Sequence, residues 1–356
     1  MMNEEFLTRL KKIESSLKSA LQNPSNKEWR ELSFGKIDQC INDSHISVLT
    51  DPCSHLISSG GKRWRPLLLV LCAQMTAESK NKSDALEKAY HLAPLVEFAH
   101  TASLIHDDIE DSAETRRSLP CAHIAYGIDV AINAGSWLYF EATTVIKSLK
   151  ATVEEKLALY ELFLRELRLL HLGQAMDIKW HRTPELIPTQ DEYTAMVRNK
   201  TGTLSRLAVK IGILAGGGST HEAETAGKIA QDIGVGFQII DDVVNITTGN
   251  PGKKRGDDIV EGKKSLPVLI HLQKNPNDIK ILSEYFSQAA QSGISSPAVE
   301  KAISLLTQSG AVQSARQIGT NLVKEKSAQL ANFFGIESPA GNLIKELFDS
   351  MLSKIS

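Results

Sequence analysis

Apolar residues recur at three- and four-residue steps along most of the chain. Near the start Phe6, Leu10, Ile13, Leu17 and Leu21 keep this spacing among charged neighbours, which predicts an amphipathic helix. The run from Ala151 to Leu172 lacks Gly and Pro and carries Leu157, Leu159, Leu162, Leu164, Leu167 and Leu170. Ala85 to Ile109 is similar, with Pro94 inside it. Ala223 to Val244 is apolar on most turns and predicts a mostly buried helix. Alternating runs of Val, Ile and Thr are missing, so strands are hard to place. The breaks are turn-like: Asn23-Pro24-Ser25, Ser59-Gly60-Gly61, Gly216-Gly217-Gly218 and Gly249-Asn250-Pro251-Gly252. The pattern predicts an all-α chain, one large domain over residues 1–356 with 1–30 as an N-terminal helical extension.

Composition adds exclusions. At 42% hydrophobic and 23% charged, the 356 residues can bury a large core. Forty Lys and Arg against 42 Asp and Glu leave a net charge of −2, so no nucleic-acid partner is expected. Cys40, Cys53, Cys72 and Cys121 form neither a CxxC pair nor zinc spacing, and read as buried small residues of a cytoplasmic protein. The longest apolar run, Pro66 to Met75, falls short of the roughly 18 residues of a spanning helix, and no membrane anchor is expected. The charged N-terminus does not read as a secretory signal.

Two acidic clusters carry candidate chemistry. Asp107, Asp108, Glu110 and Asp111 end an apolar stretch, and helical spacing puts Asp107 and Asp111 on one face. Such a run can be a solvated helix end, or oxygen ligands for Mg²⁺, which takes one or two carboxylates plus substrate phosphates. Asp241 and Asp242 likewise are expected at the end of an almost wholly apolar helix, and ionised carboxylates there are costly unless paired or metal-bound.

Basic residues flank both clusters: Gly60-Gly61-Lys62-Arg63-Trp64-Arg65-Pro66, Arg116-Arg117, Lys200-Thr201, Gly252-Lys253-Lys254 and Gly262-Lys263-Lys264. Each alone reads as solvated surface charge. Together they can form Arg forks and Lys point charges for two diphosphates. No GxxxxGK[ST] is present, which disfavours a P-loop enzyme.

Taken in order, these segments resemble the trans-polyprenyl diphosphate synthases, including those that make geranylgeranyl and longer chains. Glu97 to Arg117 is similar to the first aspartate-rich motif, DDxxD followed by RR, and Gly234 to Asn245 to the second. GGKxxRP appears at Gly60 to Pro66, KT at Lys200-Thr201 and GQxxD at Gly173 to Asp177. The resemblance spans roughly residues 40 to 275. It departs at Asn245, where Asp is usual and which is expected to act at most through water, and at Ser118, where Gly commonly follows the Arg pair.

The resemblance implies a helical bundle of the isoprenoid synthase type around a central active-site cavity, and a homodimer. It implies a Mg²⁺-dependent prenyltransferase that joins isopentenyl diphosphate to an allylic diphosphate, with three ions per active site when substrate is bound. Asp107, Asp111 and Asp241 would coordinate metal, and Asp108, Asp242 and Asp177 would orient its waters. Arg116, Lys200, Lys263 and Lys253 would contact the allylic diphosphate, and Lys62, Arg65, His100 and Arg117 would hold isopentenyl diphosphate. The Lys200 and Thr201 carbonyls with Gln238 would face the carbocation. His106 is expected to be turned away from the Asp107 face. The tail would run back along the helix before Asp107, past Ser103, Ala102 and Ala99. All three are small, so a product longer than fifteen carbons is expected, stopped by Trp137, Tyr139 or Phe140 from a facing helix. A terpene cyclase and a non-catalytic subunit of a heteromeric synthase are the alternatives.

Overall fold

The computed structural model describes residues 4–82, 84–183, 185–249 and 254–353. Its regular structure is helical apart from one two-residue-per-strand hairpin and a single 3-10 turn. The chain divides into two compact units, one drawn from Met1–Arg165, Leu207–Ala226 and Phe334–Gly341, the other from Glu166–Arg206, Gly227–Phe333 and Asn342–Ser356.

The first unit opens with α1 (Glu4–Ala20), α2 (Lys27–Phe34), α3 (Asp43–Ser58), α4 (Trp64–Lys80) and α5 (Ala85–Glu110). The N-terminal extension is part of this unit's packing: Phe6, Ile13 and Leu17 bury the predicted stripe of α1, which lies against α4 and α5. α3 starts on a reciprocal cap in which Asn42 Oδ1 accepts from the Ser44 N–H and the Asn42 N–H donates to His45 Nδ1. The apolar run from Pro66 to Met75 becomes the interior of α4, almost entirely buried. After α5 comes the hairpin, β1 (Thr115–Arg116) against β2 (Leu119–Pro120), which the periodicity did not reveal. Its turn residues Arg117 and Ser118 have φ of 53° and 65°, the paired left-handed conformation that two-residue hairpin loops require. Next follow α6 (Ala122–Tyr126), α7 (Ile128–Glu141) and α8 (Thr144–Ser148). At Gly135 an added Cβ would stand 2.7 Å from His106 Cε1, so glycine lets α7 lie close on α5.

Three long helices contribute residues to both units: α9 (Val153–His181), α10 (Gln190–Ala215) and α11 (Thr220–Thr247). The second unit adds α12 (Asp257–Val260), α13 (Leu266–Lys274), α14 (Ile279–Ser292), α15 (Pro297–Gln308), α16 (Ala311–Ala331) and most of α17 (Pro339–Leu352). Its core gathers Val235, Ile239 and Val243 of α11 with Val268 of α13, Phe286 of α14 and Ala315 of α16. The glycine turn at 216–218 separates α10 from α11, as its sequence predicts.

Two expectations need correction. α11 continues to Thr247, so Asp241 and Asp242 lie inside a helix rather than at its end. Cys53, Cys72 and Cys121 are buried, but Cys40 is exposed in the loop before α3.

Candidate active site

In the first unit α5 ends at the acidic cluster, with the Asp111 N–H donating to the Asp107 carbonyl at 2.8 Å. Asp107 and Asp111 are half-buried and Asp108 is buried. Carboxylates at a helix C-terminus oppose the helix dipole, so this turn favours a cation. The hairpin supplies one. Arg116 reaches Asp108 Oδ1 with Nε and Nη2, each at 2.6 Å, and its Nη2 lies 3.8 Å from Asp107 Oδ2. Burial raises the Asp108 carboxyl above its ordinary range, and Arg116 acts against that rise. Asp108 thus has a guanidinium where the sequence suggested metal-bound water.

A second cationic group lies at the start of α4. Gly60 and Gly61 have φ of 86° and 148°, and a Cβ at Gly61 would stand 2.9 Å from Arg117 Nη2. Glycine is therefore needed beneath the Arg117 guanidinium, which donates through Nη1 to the Leu56 and Gly60 carbonyls. Arg65 donates Nη1 to His100 Nε2 at 3.3 Å and lies over the Trp64 ring at 4.5 Å. Its Nε is buried without a partner. Burial and the surrounding arginines hold His100 well below the usual imidazole range, so the ring is neutral and accepts from Arg65. Lys62 is exposed on the same loop. Lys62, Arg65, His100 and Arg117 are therefore grouped in this unit.

Sequence reasoning assigned no role to the pair beneath this group. Arg63 and Glu97 are 3% and 2% exposed, and Arg63 Nη1 donates to Glu97 Oε1 at 2.6 Å. A buried Glu is the available signal, and it requires the fold to be read.

In the second unit the crossing of α9 and α10 is set by Gly173, where a Cβ would lie 2.3 Å from the Lys200 backbone nitrogen. Close approach puts Lys200 Nζ 2.7 Å from Asp177 Oδ2. Burial opposes the Asp177 charge, but Lys200 and Lys263 outweigh it and hold the carboxyl below its ordinary range. Lys263 also pairs with Glu261. Lys253 lies outside the described residues.

Thr201 Oγ1 donates to Gln238 Oε1 at 2.7 Å, and Gln238 Nε2 donates to Asp242 Oδ1 at 3.0 Å. Tyr193 Oη and the Leu266 N–H both donate to Asp242 Oδ2. Burial pushes the Asp242 carboxyl up to about 6 against these donors. Asp241, one residue earlier, is exposed. Asn245 is buried and ties down the chain after α11, where its Oδ1 accepts the Asp258 N–H at 3.2 Å and its carbonyl accepts the Gly256 N–H.

The residues expected to set product length divide. Ala99 and Ala102 are fully buried in α5, while Ser103 Oγ donates to the His100 carbonyl. Tyr139 is buried and stacks on His106 at 5.7 Å, and His106 bonds the Ala102 carbonyl and Ser136 Oγ. Trp137 stacks on Phe34 at 6.0 Å and meets Trp29 edge-on, so it packs against α2. Phe140 is 71% exposed and does not line an interior path within this chain.

Among the described residues no three His, Cys, Asp or Glu side chains already form a metal cage. Mg²⁺ needs none, because it retains waters and takes phosphate oxygens with one or two carboxylates. The hard oxygens of Asp107 and Asp111, and separately of Asp241, fit that ion.

Comparison with known proteins matches these motifs to a family. The polyprenyl synthetase family model covers residues 46–305. A geranylgeranyl pyrophosphate synthase of Gibberella zeae is 34% identical over 259 residues, 71% of this chain and 66% of the relative. A geranylfarnesyl diphosphate synthase of Aeropyrum pernix is 31% identical over 90% of this chain and 99% of its own length. The crystal structure of a geranylgeranyl pyrophosphate synthetase from Pyrococcus horikoshii superposes with a TM-score of 0.76 at 26% identity, covering 96% of this chain and 95% of that one. With its motifs, its fold and these relatives in agreement, the chain belongs to the polyprenyl synthetase family, a family of prenyltransferases.

Proposed function

We propose that this prenyltransferase condenses isopentenyl diphosphate with an allylic diphosphate in a Mg²⁺-dependent reaction, giving an all-trans polyprenyl diphosphate longer than fifteen carbons. The observation that carries the reading is the Arg65 Nε at the start of α4, a buried donor without a partner, beside neutral His100 of α5 and the preceding loop that Arg117 crosses. Buried donors are rarely left unpaired, and a diphosphate oxygen is a fitting acceptor. A terpene cyclase needs no such second anion site.

Lys62, Arg65, His100 and Arg117 hold isopentenyl diphosphate in this reading. Lys200 and Lys263 draw on the allylic diphosphate, with Arg116 beside the first acidic motif. Asp107, Asp111 and Asp241 are the metal-binding carboxylates. Bound Mg²⁺ supplies neutralisation of the charge that grows on the leaving diphosphate. Gln238 is oriented by Thr201 and Asp242, which leaves an oxygen lone pair for the allylic cation. The isopentenyl double bond attacks that cation, and the departed diphosphate takes the proton released.

The small side chains at Ala99, Ala102 and Ser103 support a long product, as do the relatives named for geranylgeranyl and geranylfarnesyl products. The same reading makes the protein a cytoplasmic homodimer. Ile128, Ile132 and Phe140, exposed along α7, support pairing because one chain leaves them uncovered. No described helix is long and apolar enough to cross a membrane.

The test is incubation with farnesyl and isopentenyl diphosphates and Mg²⁺. Elongated diphosphates support the synthase, a released hydrocarbon supports a cyclase, and absence of turnover supports a non-catalytic subunit.

A further inference from the structure

The loop that presents Lys62 and leads into Arg65 at the start of α4 is poorly determined by its own sequence. Gly60 and Gly61 give it freedom, and Arg63, the residue before α4, sits at φ 45° with no side-chain cap. A non-glycine residue in that region is strained and persists only when its surroundings impose it. The surroundings here are two carboxylates. Arg63 Nε donates to Glu14 Oε1 at 2.7 Å and Nη1 to Glu97 Oε1 at 2.6 Å, while Nη2 donates to the Ile57 carbonyl. Glu97 belongs to α5, three residues before His100. Glu14 belongs to α1, before residue 46, where the family match begins.

We infer that Glu14 and Glu97 are positioning residues for isopentenyl diphosphate: they clamp Arg63 from two helices and thereby fix the loop from Gly60 to Arg63, which offers Lys62 to the substrate and sets the start of α4 that carries Arg65. The inference rests on the assignment of isopentenyl diphosphate to those residues. It makes α1 part of the enzyme's binding machinery, although α1 carries none of the recognised motifs. The two carboxylates differ in setting. Glu97 is buried and balances a group that includes Arg63, Arg65 and Arg117, whereas Glu14 is half-buried at the rim and closes the clamp. Replacing the Glu14 carboxylate by a neutral amide turns the charge-assisted hydrogen bond to Arg63 Nε into a weaker neutral one, and the strained loop can then relax.

The full-length protein tests this through three variants, Glu14→Gln, Glu97→Gln and Lys62→Ala, with KM for both substrates, kcat and melting temperature measured for each. Glu14→Gln should raise the isopentenyl diphosphate KM by about fivefold or more, leave the allylic KM unchanged and melt close to wild type. Glu97→Gln should shift the same KM further where it folds, and the surface variant keeps the test valid where it does not. A Glu14→Gln enzyme with wild-type isopentenyl KM, while Lys62→Ala raises it, overturns the positioning role and leaves the substrate assignment standing. If Lys62→Ala also leaves that KM unchanged, the assignment fails and the inference with it. An equal rise in both KM values with a lowered melting temperature shows a merely structural role and overturns the inference too.

Discussion

Tyr193 donates its hydroxyl to Asp242 Oδ2 at 2.6 Å, and Gln238 donates to the other oxygen of the same carboxylate. Both second-motif aspartates look alike in the sequence, yet only Asp241 is exposed. Asp242 is committed to orienting the amide that faces Thr201. Tyr193→Phe removes a donor from a buried carboxylate and should cost about 1–3 kcal/mol of stability. Turnover should fall as Gln238 loses its fixed partner. Urea unfolding and steady-state kinetics check this, and a variant matching wild type in both would show that the hydrogen bond contributes nothing.

Asp107→Ala or Asp241→Ala should reduce kcat on the order of 100-fold or more, because metal neutralisation of leaving-group charge is worth several kcal/mol. Circular dichroism should be unchanged, since neither side chain belongs to the core. Near-normal turnover of either variant with Mg²⁺ would contradict the metal assignment.

Gly173→Ala should be far more damaging than its size suggests. The added Cβ meets Lys200 N at 2.3 Å and Asn199 C at 2.7 Å, which are backbone atoms that cannot swing aside. α9 and α10 must move apart, at a cost of about 1–3 kcal/mol, and the Lys200–Asp177 pair is carried with them. A lowered melting temperature with a weakened allylic KM is expected. Wild-type values of both would show that the crossing has slack.

Stability should depend on pH through Glu141. This residue is 3% exposed, and burial pushes its carboxyl up to about 7 although Ser33 and Trp29 donate to it. Its folded value lies above the ordinary 4.5 of the unfolded chain, so the folded state binds the extra proton between those two pH values. Stability from this group is therefore fully present in acid and lost as pH rises through about 7. Glu141→Gln keeps an acceptor for Trp29 without the charge. It should stabilise the protein at pH near 8 by up to roughly 3 kcal/mol, with a much smaller effect near pH 5. Melting curves at the two pH values read this directly, and a pH-independent difference would refute it.

Product length should respond to the helix before Asp107. Wild-type protein should extend farnesyl diphosphate, and Ala102→Phe should shorten the product by filling space beside α5. Tyr139→Ala should lengthen it, since Tyr139 is the one of the three aromatics that stays buried against His106. Chromatography of the dephosphorylated products gives the answer. A wild-type stop at fifteen carbons, or an unchanged product from Ala102→Phe, would remove the basis for the long-chain reading.

The amino-acid sequence by itself determined the helical class, because a 3.6-residue repeat with few strand signals leaves little alternative. It also makes both aspartate motifs and the basic residues that flank them visible, because charge in fixed spacing can be read without a fold. The hairpin at Thr115–Pro120 escaped it, since two residues per strand are too few to show alternation. Tertiary structure alone decided how similar residues divide their work. Asp108 and Asp242 are taken by Arg116 and Tyr193, while Asp107 and Asp241 carry the more accessible charge. Trp137 and Phe140 differ from Tyr139 only through packing, one against α2 and one toward solvent. Glu14, Arg63 and Glu97 are separated by 49 and 34 residues and share no local pattern. Their partnership arises because burying a guanidinium demands acceptors, and only the folded chain shows which acceptors are within reach.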